Sequence, residues 1–397
     1  MRKTINLGDL GTIITGKTPP TTNKNYYGDY AVFIKPTDIS EHSKYTYETE
    51  EMYSKLAAEK YESSLIPKGA ICVPCIGTIG TKMTMAPCDC YTNQSINSII
   101  CNENYDNEYV YYLIKNFLPG LKAYNLGTAS GREYVSKSNF EKIELVAEQD
   151  KEIQKKIGVI LSRYDSLIEN YQKQIKLLEE AAQRLYKEWF VDLRFPGHEN
   201  TKIVDGLPEG WEKKRLIDLV DVQYGYAFDG KLFNSSGEGM PILRIRNIPD
   251  GITSDYTTEE AQDCYIVHNG DIVVGMDGIF HINSWSGGAA YLVQRACSFR
   301  PKEECMKGFI FQAIQEPIKF FEKTLVGATV AHLGKKHIDS IELCIPKNFE
   351  LYKPFSKFYN QRQGLLSQIR LLTEVRDRLL PKLMSGEIEA KQQSIRT

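Results

Sequence analysis

Cys72-x-x-Cys75 and Cys88-x-Cys90 are the residues whose types and spacing most directly suggest chemistry, because four thiolates can close a tetrahedral zinc site. An internal alignment, developed below, argues for a plainer role. With Gly69 set against Gly270, Cys72 falls opposite Val273 and Cys75 opposite Met276, so these positions read as small buried hydrophobes. The pair lies in an apolar, strand-like run and not at a helix start, which weakens a redox reading. The other cysteines, Cys101, Cys264, Cys297, Cys305 and Cys344, bring the total to nine, an odd number that does not fit a secreted disulfide framework. The six histidines, at 42, 198, 268, 281, 332 and 337, lack ligand spacing, so no metal site is expected.

Group-transfer chemistry is equally absent. The methyl-transfer signature Asn/Asp-Pro-Pro-aromatic does not occur, since Pro19-Pro20 lies between Thr18 and Thr21. No Gly-x-x-x-x-Gly-Lys-Ser/Thr phosphate loop is present. Pro249-Asp250 could open a nuclease motif, but no Glu/Asp-x-Lys follows it at a workable distance. The expectation is a chain without catalytic residues.

Binding chemistry remains. Arg, Lys, Asn, Ser and Thr on loops reach phosphates and base edges. In the first half Lys35, Thr37, Thr78, Lys82, Thr128, Ser130, Arg132 and Lys137 are the candidates; in the second, Arg244, Arg246, Asn247, His332, Lys335 and Lys336. Asp38 is expected to order its own turn. The net charge is −2, and residues 1–150 carry 15 basic and 18 acidic side chains against 15 and 20 for 205–348. Blocks with that balance cannot hold a polyanion by bulk electrostatics alone. Residues 151–190, with 8 basic and 6 acidic, and 349–397, with 9 and 5, are the positive segments.

The elements that must position these residues come in two copies. A constant shift of 194 pairs Gln174 with Gln368, Ile175 with Ile369, Leu177 with Leu371, Leu178 with Leu372, Glu180 with Glu374, Arg184 with Arg378 and Leu185 with Leu379. Apolar residues at Ile157, Leu161, Tyr164, Ile168, Tyr171, Ile175, Leu178, Ala182, Leu185 and Trp189 alternate steps of four and three, a heptad seam. The same shift yields Phe355, Phe358, Leu365, Ile369, Leu372, Leu379 and Leu383, with Arg362 and Arg376 interrupting the stripe. Two long paired helices are therefore predicted, the second bending and stopping at Pro381 and Gly386. The globular blocks are diverged copies too. Phe33-Ile34-Lys35-Pro36-Thr37-Asp38-Ile39 aligns with Ile242-Leu243-Arg244-Ile245-Arg246-Asn247-Ile248, and Gly77 with Gly278, while a Gly127-Thr128 loop matches Gly327-Ala328. Scaffold positions agree and the stretches between them differ, as in two readers of different ligands.

The resulting plan is mixed α/β (α+β): two strand-rich globular blocks separated by two long helices in a coiled coil, with a pseudo-twofold internal repeat. Its segments are 1–150, the first block; 151–190, the first helix; 191–212, a connector; 213–348, the second block; 349–390, the second helix; and 391–397, a tail. No signal-like segment or spanning apolar run is seen, so a cytoplasmic protein without a membrane is expected.

This arrangement resembles the specificity subunit of Type I restriction-modification systems. The most specific strings are Trp189-Phe190-Val191-Asp192, Phe195-Pro196-Gly197-His198, Leu207-Pro208-Glu209-Gly210-Trp211, and Leu379-Leu380-Pro381-Lys382-Leu383-Met384-Ser385-Gly386-Glu387-Ile388, all in the family's order. The resemblance implies that each block is a target-recognition domain reading one half of a split double-stranded DNA sequence, and that the two helices are antiparallel, set the gap and dock methyltransferase subunits, two in number. Motor-nuclease (restriction) subunits would join for cleavage in phage defence. S-adenosylmethionine, ATP and Mg would be used by those partners, with no cofactor in this chain. A coiled-coil scaffold without direct DNA readout is the competing reading, favoured by the acidic blocks. An enzyme fused to its recognition domain fails on the missing motif.

Overall fold

The computed structural model describes residues 1–127, 131–325 and 331–390. Its backbone contacts divide the chain into two units, Met1–Glu169 with the chain from Leu372 onward, and Asn170–Leu371. Each unit thus owns one globular block and a part of both long helices.

In the first unit a four-stranded antiparallel sheet has the order Gly11–Thr15, Ile96–Cys101, Ile71–Pro74, Thr84–Met85. The second unit repeats it with Val220–Tyr224, Ala296–Pro301, Ile272–Gly275 and Ile282–Ser284. Each block is closed by pairing its opening strand with its last one: Arg2–Asn6 with Glu144–Glu148, and Trp211–Arg215 with Glu342–Pro346. A second sheet of short strands, four in the first block and five in the second, contains one parallel pair, Phe33 beside Tyr91 in the first and Ile242 beside Tyr291 in the second. The aligned segments are therefore equivalent in space within their own blocks. Gly16 and Gly225 mark one shared crossing: a Cβ would lie 2.2 Å from the Thr92 carbonyl oxygen at the first and 2.1 Å from that of Val293 at the second, which excludes any side chain.

The first long helix is Lys151–Tyr186. Asp150 starts it by accepting from the backbone N–H groups of Glu152 at 2.9 Å and Ile153 at 3.3 Å. It ends in a π-helical turn, Lys187–Val191, that swings Phe190 into the second unit's core. There Phe190 lies 4.7 Å from Phe309, 5.2 Å from Trp211 and 5.3 Å from a stacked Tyr186, and Phe195 lies 4.9 Å from Trp211. The motif aromatics thus fasten a helix end to its block. The second long helix, Lys353–Ser385, runs through Pro381 and stops at Gly386, whose φ is +82°. Leu380, Leu383 and Met384 enter the first unit's core, and the Arg2 guanidinium caps the helix by donating to the carbonyls of Met384 at 2.9 Å and Leu383 at 3.1 Å.

The seam departs from the predicted one. A strict seven-residue ladder, Gln154, Leu161, Ile168, Ile175 and Ala182, is buried together with Ile157 and Asp165. On the second helix Phe355, Tyr359, Arg362, Arg376, Leu380 and Leu383 are buried. Tyr164, Tyr171, Leu178, Leu185, Trp189, Phe358, Leu365, Ile369, Leu372 and Leu379 are only half-buried. The reason is that the helix ends also lie on globular cores, so burial follows the block as much as the partner helix.

Cys72, in the strand Ile71–Pro74, and Cys75, just after it, enter different cores, one with Ile34 and Ile66, the other with Val135 and Tyr112. Burial pushes their thiols up, to about 11 and about 12 respectively. Neutral thiols in apolar cores act as packing groups. Cys88 is exposed and Cys90 buried. No helix among the described residues is long and apolar enough to cross a membrane.

Candidate nucleic-acid interface

The glycine-led loop at Gly77 meets a second loop in space. Gly77, with φ +95°, ends a two-residue strand paired with Glu133–Tyr134. The Glu133 carboxylate accepts from the Ile79 N–H at 3.0 Å, and Asn125 Oδ1 accepts from Gly127 and Tyr134 N–H groups, both at 2.9 Å. This holds exposed Thr78 and Arg132 beside one another on a frame of backbone bonds. Lys82 is half-buried. Lys137 is exposed at the start of the short helix Lys137–Glu141 and sits 3.6 Å from Glu141. Thr128 and Ser130 lie outside the described residues.

The second block builds the equivalent site with other side chains. Asp277 and His332 form an isolated bridge, reinforced by Gly278 N–H to the Ala331 carbonyl at 3.0 Å and Leu333 N–H to that of Met276 at 2.7 Å. The Asp277 carboxylate lies 2.6 Å from His332 Nδ1 and 3.2 Å from Arg295 Nε. His332 and Arg295 remain 59% and 69% exposed, so this trio can present a donor fork while its carboxylate stays at 21%. Lys335 and Lys336 are exposed on the next helix, Lys335–Asp339.

A third loop follows the short-stranded sheet's central strand. In the first block it is the Lys35–Asp38 turn, where Asp38 accepts from the Lys35 N–H at 2.8 Å, as predicted. In the second it is Arg244–Asn247, and Asn247 Oδ1 accepts from the Arg244 N–H at 2.9 Å. Asn247 thus has the turn-ordering role of its aligned partner Asp38, and the alignment itself held that signal. This turn adjoins the Asp277 loop, because a Cβ at Gly275 would lie 2.8 Å from the Ile245 side chain.

Local pairing changes the standing of three more residues. Lys35 Nζ is 2.6 Å from Glu50 and 3.2 Å from Glu51. Arg246 lies on Asp255 with a fork, at 3.1 and 2.5 Å. Arg244 is half-buried with its guanidinium 5.3 Å from the Phe233 ring centre. Thr37 is exposed. Two basic side chains escaped the sequence reading. Arg295, with φ +71°, stands where the first block has Ser95, since the Met276 and Cys75 N–H groups donate to these two residues' carbonyls. Lys122 is exposed and lies against Gly80, in the loop beyond Thr78.

Beneath each block a buried ion network joins both long helices. In the first unit Arg376 pairs with Asp165, which also accepts from the Tyr112 hydroxyl, and Arg376 Nη2 lies 2.8 Å from Asp377. Nearby, Lys44 pairs with Glu108, its side chain 4% exposed and its ammonium 5.2 to 5.3 Å from the rings of Tyr45, Tyr111 and Tyr112. Burial, and then the charge of Arg376, hold the Lys115 ammonium below the ordinary lysine range. In the second unit Arg362 donates to Glu179 at 2.6 Å, to Asn283 at 2.8 Å and to Ser284. Asn283 Nδ2 in turn donates to the Ile248 and Pro249 carbonyls at 2.8 and 2.9 Å, under the Arg244–Asn247 turn.

Comparison with known proteins gives this geometry a context. A family model described as the Type I restriction modification DNA specificity domain matches twice, over residues 2–180 and 208–370. The Type I restriction enzyme MjaIX specificity subunit of Methanocaldococcus jannaschii is 27% identical over 97% of this chain and 93% of its own length. The HindI specificity subunit of Haemophilus influenzae is 38% identical over 40% of this chain and 35% of its own length. The crystal structure of a Type-I restriction-modification S subunit from M. genitalium shares the fold, with a TM-score of 0.57 at 17% identity, covering 97% of this chain and 96% of that one. Two matched domains over most of the chain, each carrying the same sheet order and the same loop frame, place the chain in the family of Type I restriction-modification DNA specificity subunits.

Proposed function

We propose that this chain reads a bipartite double-stranded DNA target, one half per globular block, as the non-catalytic recognition subunit of a methyltransferase and endonuclease complex. The observation that carries the reading is the equivalent frame at Gly77–Glu133 and Asp277–His332, dressed with different side chains in the two blocks. A common frame with different donors suits two sequences read by one geometry. The long helices would set the unread spacer and dock methyltransferase subunits, two per complex, with motor-nuclease subunits joining for cleavage. S-adenosylmethionine, ATP and Mg would serve those partners. The acidic excess of both blocks, 18 against 15 and 20 against 15, fits a reader that gains affinity from the assembled complex.

Exchanging residues 1–150 for the matching block of a relative is expected to change one half of the methylated sequence and leave the other untouched, as read by methylome sequencing. A change in both halves would show that the blocks do not read independently. Unaltered methylation would favour a scaffold role.

A further inference from the structure

We infer that Arg362 and Arg376 are register pins: two buried arginines whose ion pairs with the facing helix admit a single axial alignment of the long helices and so specify one spacer length. The inference rests on the proposed reading of the helices as the spacer-setting element.

Both arginines occupy seam positions of the second helix and are 8% and 6% exposed. Their partners Glu179 and Asp165 lie on the first helix. The arginines are fourteen residues apart, and so are the carboxylates in the opposite sense, two heptads on each antiparallel helix. A hydrophobic heptad seam alone tolerates a slip of seven residues, because every apolar position returns to the same face. The charges do not. Slipped one way, Arg362 would face Gln172 and Arg376 Gly158, with Glu179 against Phe355 and Asp165 against Ile369. Slipped the other way, the arginines would face Tyr186 and Gln172, and the carboxylates Ile369 and Leu383. In either direction all four charges lose their partners on the facing helix, Arg376 keeping only its chain neighbour Asp377, and a buried charge without its cross-helix partner is strongly disfavoured. Each pin is also tied to its own block, through Tyr112 in the first unit and through Ser284 and Asn283 in the second. A slip would therefore strip the block of those bonds as well.

The test replaces Asp165, Glu179, Arg362 and Arg376 together by leucine, with the two paired double variants D165L/R376L and E179L/R362L as backup should the fourfold variant not fold. Register is read directly from a photo-cross-linking residue at Leu365, which the native alignment places opposite Lys176, by mapping the first-helix residues captured. Spacer choice is read by selecting sites from a library with random gaps, in the assembled methyltransferase complex. The wild type is expected to give one cross-link cluster and one gap. The variants are expected to add clusters displaced by seven residues and gaps displaced by about three base pairs, the equivalent of about 10 Å of helix. A single unshifted cluster in a folded variant overturns the inference. Displaced clusters with an unchanged gap overturn the link from register to spacer. Selection of no bipartite site by the wild type refutes the underlying function while the cross-links still judge the pins.

Discussion

The two ion networks do the same job with different chemistry. In the first unit the carboxylate is the hub: Asp165 receives both Arg376 and Tyr112, and its side chain is 6% exposed. In the second the arginine is the hub, reaching Glu179, Asn283 and Ser284 together, while Glu179 stays 37% exposed. The repeat relates Arg362 to Ile168 and Arg376 to Ala182, so neither network is inherited from a common half. Duplication supplies the scaffold, and the joints between helix and block were built separately in each copy. A hub with one water-facing partner tolerates loss of that partner; a hub sealed from water does not.

That contrast is sharpest in stability. Arg376→Leu strands a sealed carboxylate and is expected to cost about 3–5 kcal/mol, whereas Glu179→Leu leaves Arg362 with two remaining acceptors and is expected to cost about 1–2 kcal/mol. Chemical denaturation of the two variants checks the order, and equal losses would dissolve the distinction between hubs. A smaller effect separates the equivalent turns. Asn247→Ala removes the acceptor that holds the Arg244 N–H and is expected to cost about 1 kcal/mol, with Asn247→Asp within about 0.5 kcal/mol of wild type. If Asn247→Asp instead alters the second half-site while stability is kept, Asn247 reads DNA after all. The smallest effect concerns surface charge. Lys336→Ala is expected to reduce the salt dependence of DNA binding by the complex by about 0.9 in the logarithmic slope, one phosphate contact, and Lys35→Ala to leave it unchanged because Glu50 and Glu51 hold that ammonium. Titrations at several salt concentrations decide between them.

The repeat, the long helices and the equivalence of the blocks were legible because they are written in period and in spacing. Phe33 and Ile242, aligned by sequence, both take the parallel pairing in their short-stranded sheets. The site was less legible. Lys35 and Arg246 looked available because their partners, Glu50, Glu51 and Asp255, lie in stretches that differ between the halves, where no alignment signals proximity. Arg295 and Lys122 were missed because tertiary pairing, not chain spacing, brings them beside the loops at Asp277 and Gly80. The two seam arginines were visible as interruptions of an apolar stripe, but their meaning depended on carboxylates some two hundred residues away, at Glu179 and Asp165. Asp165 itself sits one residue off the predicted stripe, at Tyr164.

Charge on the seam is also segregated by helix, both carboxylates on the first and both arginines on the second. During synthesis the first helix, ending at Tyr186, is complete 167 residues before the second begins at Lys353. In that interval Asp165 and Glu179 lack Arg376 and Arg362, the partners they hold in the folded protein. The pairs that join the two helices therefore close only once the second helix has been made.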